Sequence, residues 1–549
     1  MAWGAKLSKF KILVTDHIAQ EGLDILEKAD SVEYEIKAGI SNADLKKIIG
    51  EYDAIITRSG TDVDADLLEN TGKLKIVGRA GVGLDNVDIE AASKKGLIVM
   101  NAPTGNTYAA VELTMGMILA ACRKIPSANQ SVKAGEWNRK KFMGIQLLNK
   151  TLGIVGIGRI GGNVVTRCKA FGMKVVAFDP YVKRSRADDL GVTLCNSLDE
   201  VLKQADVITL HTPLTDETRG MIGKAQFDEM KDGAVFVNCA RGGLVDEDAL
   251  YDAVASGKLF SAATDVFSYE PPKGMKFIEL ENIFVTPHIG ANTYEGQKGV
   301  AVLICEQVVN ALEGRSYANA VNTPYMKSLL PEELQRYFEL ARSMGRLASQ
   351  FVTGRPEEIR FTMVGKRFEE DFGERTFDSP FNYQPFTIAA LKGFLEIILE
   401  DSVSFINSPY LAKDRNIQVM ESKNDHFDKY NDLLVLTIKT SDGKETKIGG
   451  TLFAENIGKI LFIDNYTLDL EATGNYIYFR NNDKPGIVGK VATLLGENNI
   501  NIANFGLARV GGKGGEAISF VLIDGKADPD IVKKIVDLED ILEAKYIRI

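Results

Sequence analysis

Paired cysteines are missing from this chain. Cys122, Cys168, Cys195, Cys239 and Cys305 stand singly, with an odd total and no Cys-x-x-Cys step, which argues against a disulfide framework and against a structural zinc site. Histidine is scarcer still. His17, His211, His288 and His426 never fall at metal-ligand spacing, so no metal is expected. No uncharged run is long enough to span a bilayer, and Met1 to Phe10 lacks the apolar region of a signal peptide, so a cytoplasmic protein without a membrane partner is expected. Positive charge is in deficit: 65 Lys and Arg against 75 Asp and Glu leave a net charge of −10, which argues against a nucleic-acid partner. An anionic ligand would need a local basic patch. Tracts rich in Pro or Ser are absent, and 549 residues are too many for one core, so three or four domains are expected.

What the chain does have is an apolar run, Thr151 to Val155, that ends in Gly156-Ile157-Gly158-Arg159-Ile160-Gly161. Gly162 to Phe171 reads as helix, and a second apolar strand, Lys174 to Phe178, ends in Asp179. This is the order of a dinucleotide-binding βαβ unit. Gly156 permits the tight turn, Gly158 lets backbone approach a pyrophosphate, and Gly161 lets the helix pack on the strand. The diphosphate would sit on the free N–H groups of the helix start, with Asp179 accepting from ribose hydroxyls. A Gly-x-Gly-x-x-Gly alone can be mere loop punctuation; the strand, helix and acid in sequence distinguish this one.

Upstream, short apolar strands at Lys11–Thr15, Ala54–Thr57, Leu74–Val77 and Leu97–Met100 alternate with amphipathic stretches, as in a separate α/β domain. Thr107 to Lys124 reads as a long helix stopped by Pro126. Further strands, Val207–Leu210, Ala234–Val237, Ala262–Val266 and Ile283–Thr286, fit a doubly wound sheet, and Tyr294 to Leu312 is a second long helix. Two long helices bracketing the dinucleotide unit suggest a discontinuous first domain and a cleft between two lobes. Beyond Pro324 come a helix (Leu330–Phe351), a strand (Glu358–Met363), another helix (Thr387–Glu400) and two hairpin-like runs (Leu433–Lys439, Glu445–Leu452), without a catalytic constellation. Asn475 to Ile549 reads β-α-β-β-α-β, a ferredoxin-like module. The expected bounds are 1–106 with 294–324, 107–293, 325–473 and 474–549.

Three groups fall at the carboxyl ends of successive strands, where open α/β sheets bind ligands: Arg241, Glu270 and His288. Arg241 could fork two hydrogen bonds to a carboxylate, or simply pair with an acid such as Asp246. A carboxylate on one imidazole nitrogen fixes the tautomer and suits a proton-shuttling base, which Glu270 could provide for His288. His211 is the weaker candidate, lining the cofactor site or packing; His17 and His426 read as structural or surface residues. Arg58 and Arg79 follow strands of the first domain, and Arg139-Lys140-Lys141 adds three cations in a loop. Such a run can be a solvated surface loop, but cations gathered at strand ends of an acidic protein point to a doubly anionic ligand.

These segments resemble the D-isomer-specific 2-hydroxyacid dehydrogenase family over about residues 10 to 324. The resemblance rests on Arg241, Glu270 and His288, on the run Gly78-Arg79-Ala80-Gly81-Val82-Gly83-Leu84-Asp85-Asn86-Val87-Asp88, on Asn101-Ala102-Pro103, and on Trp137-Asn138-Arg139-Lys140-Lys141-Phe142. The C-terminal order resembles the long form within that family, with an intervening domain and an ACT regulatory domain. The implied fold is α/β multidomain: a doubly wound Rossmann domain inserted in a flavodoxin-like substrate domain, then an α+β intervening domain and a ferredoxin-like ACT domain. The implied activity is NAD-dependent oxidation of 3-phospho-D-glycerate to 3-phosphohydroxypyruvate, the opening of L-serine biosynthesis, by a homodimer or homotetramer. Implied catalytic residues are Arg241, Glu270 and His288. NAD would touch Val82, Gly156, Gly158, Arg159, Ile160, Gly161, Asp179, Thr212, Pro213, Cys239, Ala240, Arg241, Asp265, His288, Gly290 and Ala291, with Asp265 on the nicotinamide carboxamide. Substrate would touch Arg58, Ser59, Gly60, Arg79, Asn106 and Arg241, with Arg139 contributed across a dimer. In the ACT-like module, Asn481, Asp483 and Asn501 would form an L-serine pocket between paired modules, although Asn481 departs from the His or Tyr of serine-responsive members. Two rival readings are a dehydrogenase of another 2-hydroxy acid, such as glycerate or lactate, and a non-catalytic NAD-sensing scaffold.

Overall fold

The computed structural model describes residues 9–323, 330–369, 381, 383–425, 430–454, 457–510 and 514–549. Pro324 and His426 lie outside them, as does most of Phe368–Pro385, which reads as aromatic and charged without a clear period.

The first lobe is a five-stranded parallel sheet in the order Val32–Ile36, Phe10–Val14, Ala54–Thr57, Ile76–Arg79, Ile98–Asn101. That 2-1-3-4-5 order is flavodoxin-like. The inner strand Ala54–Thr57 is buried at every position, so it reads as a continuous apolar run rather than an alternation. The edge strand Val32–Ile36 was not expected: Glu33 and Glu35 keep it half in water and dilute its apolar signal. One face of this sheet is closed from far along the chain. Ile304, Cys305 and Val308 of the helix Tyr294–Leu312 share its core with Ile12, Val14 and Ile56.

The second lobe is a seven-stranded parallel sheet in the order Ile283–Val285, Leu259–Thr264, Ala234–Asn238, Val207–Leu210, Thr151–Val155, Lys174–Phe178, Thr193–Leu194. Strand order reverses between Thr151–Val155 and Val207–Leu210, so a crevice opens there at the carboxyl ends. The chain enters this lobe along the helix Thr107–Arg123. The break after it is Lys124, in a left-handed conformation with φ 50°; Pro126 then sits in the first turn of a new helix, Ile125–Lys133, instead of simply ending the old one.

Beyond these lobes, a six-stranded mixed sheet runs from Gln418–Asn424 at one edge to Tyr466–Glu471 at the other, with the helices Glu332–Phe351 and Pro385–Leu399 packed on it. The last module is a four-stranded antiparallel sheet in the order Ile502–Arg509, Glu516–Ile523, Asn475–Asn482, Ile541–Arg548, the 4-1-3-2 ferredoxin-like arrangement read from its other side. Its own two helices cover one face. The other carries Tyr476, Tyr478 and Phe520 into the core of the preceding sheet, where Phe351 meets Tyr478 at 4.7 Å and Phe520 at 5.7 Å between ring centroids.

Candidate active site

The glycine turn is built as its spacing requires. Gly156 has φ 88°, and its own close neighbour is the His211 carbonyl. A side chain on Gly161 would collide with the Gly156 carbonyl oxygen, so only glycine lets the helix Arg159–Ala170 approach the strand. Gly158 faces open space, and the N–H groups of the first turn have no capping side chain. A dinucleotide pyrophosphate fits that cradle. Asp179 is braced beside it: one carboxylate oxygen accepts from Ile157 N at 3.0 Å and the other from Tyr181 N at 3.0 Å, with lone pairs to spare for hydroxyls.

Across the crevice, His288 Nδ1 lies 2.8 Å from Glu270 Oε2 and 3.1 Å from Oε1. That leaves Nε2 as the free ring nitrogen. His288 itself has φ 50°, a left-handed conformation costly for a residue with a side chain. The loop is held there from below by Asp265, which is buried. Asp265 Oδ1 accepts from the Thr286 hydroxyl at 2.5 Å and Ile289 N at 2.8 Å, and Oδ2 from Gly290 N at 2.8 Å. Burial pushes the Asp265 carboxyl up, and those three donors oppose the shift. The position assigned to the nicotinamide carboxamide therefore also fixes the loop that carries His288.

Arg241 follows the strand Ala234–Asn238, its turn held by the buried Asn238, whose Nδ2 donates to the Arg241 carbonyl at 2.9 Å and whose Oδ1 accepts from Ala240 N at 3.0 Å. Its counter-ion is not Asp246, which instead caps the helix Glu247–Ala255. Arg241 reaches across to the first lobe, where Nε donates to Asp85 Oδ2 at 2.9 Å; Nη1 donates to the Ala240 carbonyl at 2.7 Å, and Nη2 lies over Gly83. Arg79 stands close by, and burial first, then the charges of Arg241 and Arg58, bring it down to about 10, against the pull of Asp85. Its buried Nε has no partner among the described residues. Arg58 is half-buried, its backbone N donating to Asp16 Oδ2 at 2.7 Å; Gly60 lies over the same carboxylate, and Ser59 between them is exposed. Asn106, at the start of the helix Thr107–Arg123, has a buried Oδ1 without a partner among the described residues. Three guanidiniums that repel one another, one of them with an orphaned buried Nε, suit an anion.

Other expected residues fare differently. Burial takes His211 down to about 4, which leaves its ring neutral at pH 7 with Nε2 3.2 Å from Thr209 Oγ1, and pushes the Cys239 thiol up to about 12. At that pH the His211 ring is only a weak proton acceptor, and the Cys239 thiol keeps its proton. Within the chain the cationic loop does not join the cluster: Lys141 pairs with Glu281 at 2.7 Å, and Arg139 is exposed. In the last module Asp483 pairs with Arg509 at 3.1 Å and Asn501 donates to Asp524 Oδ2 at 2.6 Å. The register sets Asn481 opposite Ala517 but Ile502 opposite Ile523, so one module holds Asp483 and Asn501 at opposite ends of its sheet. Asp16, Asp85 and Asn238 were missed. Asp85 lies inside the glycine-rich run quoted for the family, six residues after Arg79, and its place in that run was the available signal.

Residues 115–290 match the D-isomer specific 2-hydroxyacid dehydrogenase NAD binding domain, residues 333–464 the D-3-phosphoglycerate dehydrogenase intervening domain, and residues 475–540 the ACT domain. The D-3-phosphoglycerate dehydrogenase of Archaeoglobus fulgidus is 42% identical over 98% of this chain and 100% of its own. The chain belongs to the D-3-phosphoglycerate dehydrogenase family. Enzymes of that name from Methanocaldococcus jannaschii and Bacillus subtilis are 40% and 37% identical, each over 98% of this chain. Among solved structures, a Thermus thermophilus protein is 36% identical with a TM-score of 0.53, covering 57% of this chain and 99% of its own. An Aquifex aeolicus D-lactate dehydrogenase, complexed with NAD and lactic acid, is 30% identical with a TM-score of 0.50, covering 55% of this chain and 96% of its own. The family is one of NAD-dependent oxidoreductases, and the glycine cradle described above fits that cofactor. No helix among the described residues is long and apolar enough to cross a membrane.

Proposed function

We propose that this chain oxidises 3-phospho-D-glycerate to 3-phosphohydroxypyruvate with NAD, the step that opens L-serine biosynthesis. The observation that carries this reading is the cluster of Arg58, Arg79 and Arg241 together with the His288–Glu270 pair, all at the carboxyl ends of sheet strands: a seat for two anionic groups and a proton acceptor. Bound NAD supplies the acceptor for hydride from substrate C2. His288 takes the hydroxyl proton at Nε2, since Nδ1 is turned to Glu270, and returns it in the reverse direction. Arg241 offers Nη2 to the C1 carboxylate and polarises the reacting oxygen, while Arg58 and Arg79 hold the phosphate with Ser59, Gly60 and Asn106 around it. Val82, Arg159, Ile160, Thr212, Pro213, Cys239, Ala240, Gly290 and Ala291 line the cofactor, and Asp179 takes the ribose.

The substrate domain in this reading comprises 1–106 with 294–324, the NAD domain 107–293, the intervening domain 325–473 and the ACT domain 474–549. Trp137, 80% exposed, and Met143, 74% exposed, mark the face where a second copy docks, and this brings Arg139 to the partner's phosphate site in a homodimer. A two-fold pairing of ACT modules along the edge strand Ile502–Arg509 sets the Asp483 turn of one beside Asn501 of the next. L-serine then binds between them, with the buried Asn481 Oδ1, which has no partner among the described residues, as a further acceptor. Five unpaired thiols suit a cytoplasmic setting. The test is turnover with 3-phosphoglycerate against glycerate, lactate and other unphosphorylated 2-hydroxy acids. Equal rates on the unphosphorylated set would overturn the substrate, and no turnover on any would favour a scaffold. Calorimetry with L-serine on the full chain and on Asp483→Ala tests the effector.

A further inference from the structure

Glu247 opens the helix Glu247–Ala255, yet its carboxylate does not serve that helix. Two N–H groups of the first turn are met by Asp246, whose Oδ1 accepts from Asp248 N and Ala249 N, both at 3.1 Å. Both Glu247 oxygens turn to a different loop: Oε1 accepts from Ser268 N at 2.7 Å and Oε2 from the Ser268 hydroxyl at 2.5 Å. Ser268 stands two residues before Glu270, the partner of His288. An acid at a helix start is favourable merely by its place. A fork to another loop goes beyond that.

Little else among the described residues holds the segment it grips. Ser268, Tyr269 and Glu270 are all exposed, Tyr269 by 67%, so apolar burial does not fix their backbone. Phe267 is the last buried residue before them, and its N donates to Glu270 Oε1 at 3.2 Å, which closes the segment on itself. On the other side stands the turn that carries Arg241. Gly242 packs directly against the Phe267 carbonyl, where any side chain would collide. The chain from Arg241 to Glu247 therefore touches the chain from Phe267 to Glu270 twice. Gly242 reaches only the beginning of the segment; Glu247 reaches its middle.

We propose that Glu247 is a positioning residue for the reaction. It fixes Ser268, and with it Glu270, on the turn that presents Arg241. The group that orients the His288 ring and the group that holds the substrate carboxylate then keep one register. Glu247 acts through Glu270. A misplacement of about 1 Å in such a constellation costs on the order of 10²-fold in rate, and the fork to Ser268 opposes it. The catalytic consequence rests on the dehydrogenase reading above; the effect on the Glu270–His288 contact does not.

Two measurements on the full chain separate these. The protein has only four histidines, so ¹⁵N-histidine labelling identifies the His288 ring by comparison with His288→Ala. The wild-type ring should show the Nδ1-protonated tautomer that a carboxylate partner selects, and Glu247→Ala should move it towards the mixture of a free imidazole. In oxidation of 3-phosphoglycerate, Glu247→Ala should lower kcat about tenfold or more with KM changed by less than about threefold. Its pH–rate profile should move in the same direction as that of Glu270→Gln, and in a Glu270→Gln background it should add little. Glu247→Gln keeps an oxygen for Ser268 N and an NH2 for the hydroxyl, so it should recover most of the rate and the wild-type tautomer. A wild-type tautomer or near-normal kcat in Glu247→Ala, or a Glu247→Gln no better than Glu247→Ala, would overturn the proposal. If wild type does not oxidise 3-phosphoglycerate, the substrate reading falls and the tautomer alone decides this one. If Glu247→Ala does not fold, Ser268→Ala, which loses one of the two bonds, should show the same changes more weakly; wild-type behaviour in it would overturn the proposal.

Discussion

Asp265→Asn tests whether the carboxylate beneath the His288 loop does positioning work. The side chain keeps its shape, but one of its two oxygens becomes an NH2. If that group faces Gly290 N, a charged bond of 2.8 Å is lost and a backbone N–H is left against a second donor. Turned the other way, it faces Ile289 N, also bonded at 2.8 Å. Losing a bond to a charged group costs about 1.5–3 kcal/mol, and leaving a buried donor unmet about 1–3 kcal/mol. Relief of the buried charge, which raises this carboxyl's affinity for protons, offsets part of that. A net loss of ~2–3 kcal/mol exceeds or matches the roughly 1–2 kcal/mol that holds His288 at φ 50°. The loop therefore relaxes, and the imidazole leaves its 2.8 Å contact with Glu270. If all of the loss appears in the barrier, kcat falls roughly 30- to 150-fold. The assay is steady-state oxidation of 3-phosphoglycerate, repeated in a His288→Ala background. Because Asp265 acts through His288, the second substitution should add little to the first. A kcat within threefold of wild type, or full additivity with His288→Ala, would refute the reasoning.

His288→Ala should lower kcat by about 10² to 10⁴ with NAD affinity nearly intact, and Glu270→Gln should cost less and shift the pH–rate profile; near-normal turnover in His288→Ala would remove it as the base. Wild type should favour NAD over NADP in kcat/KM because Asp179 repels a 2′-phosphate, although Lys183, Arg184 and Arg186 follow it; a preference for NADP would overturn that. His211 supplies a pH-dependent stability. Its folded value of about 4 lies below the ordinary 6.5, so the unfolded chain binds the proton first, and the stabilisation is complete above pH 6.5 and lost as pH falls toward 4. Between pH 7 and 5 this amounts to at most ~2 kcal/mol, since the residue keeps some exposure. Urea unfolding should therefore show a smaller pH loss in His211→Gln than in wild type, and equal losses would contradict it.

Much of this was legible because the signals are local. The glycine turn, Asp179 and the helix Tyr294–Leu312 each declare themselves within one stretch of chain. The same holds for Arg241, Glu270 and His288, which share one edge because each closes a strand of the same sheet. What escaped was set by distant partners or by edges. Asp85 meets Arg241 from 156 residues away, and no period in either segment encodes the meeting. Val32–Ile36 and Gln418–Asn424 lie at sheet edges, where exposed Glu, Gln, Lys and Asn dilute the apolar alternation that marks a strand. The union of the last module with its neighbour was likewise hidden, because Tyr476, Tyr478 and Phe520 read as a sheet face without saying what covers it.

The helix that closes the first sheet has a consequence for how the protein is made. Its last strand ends at Asn101, but the core it needs is completed only by Leu312, 211 residues later. At a synthesis rate of about 5–20 residues per second, the ribosome takes roughly 10–40 s to supply it. Through that interval the nascent first lobe exposes Ile12, Val14 and Ile56, while the cofactor lobe, complete once Phe284 is made, closes before it. The lobe that is translated first is thus finished last, and the period of greatest risk from aggregation or chaperone capture falls before residue 312 emerges.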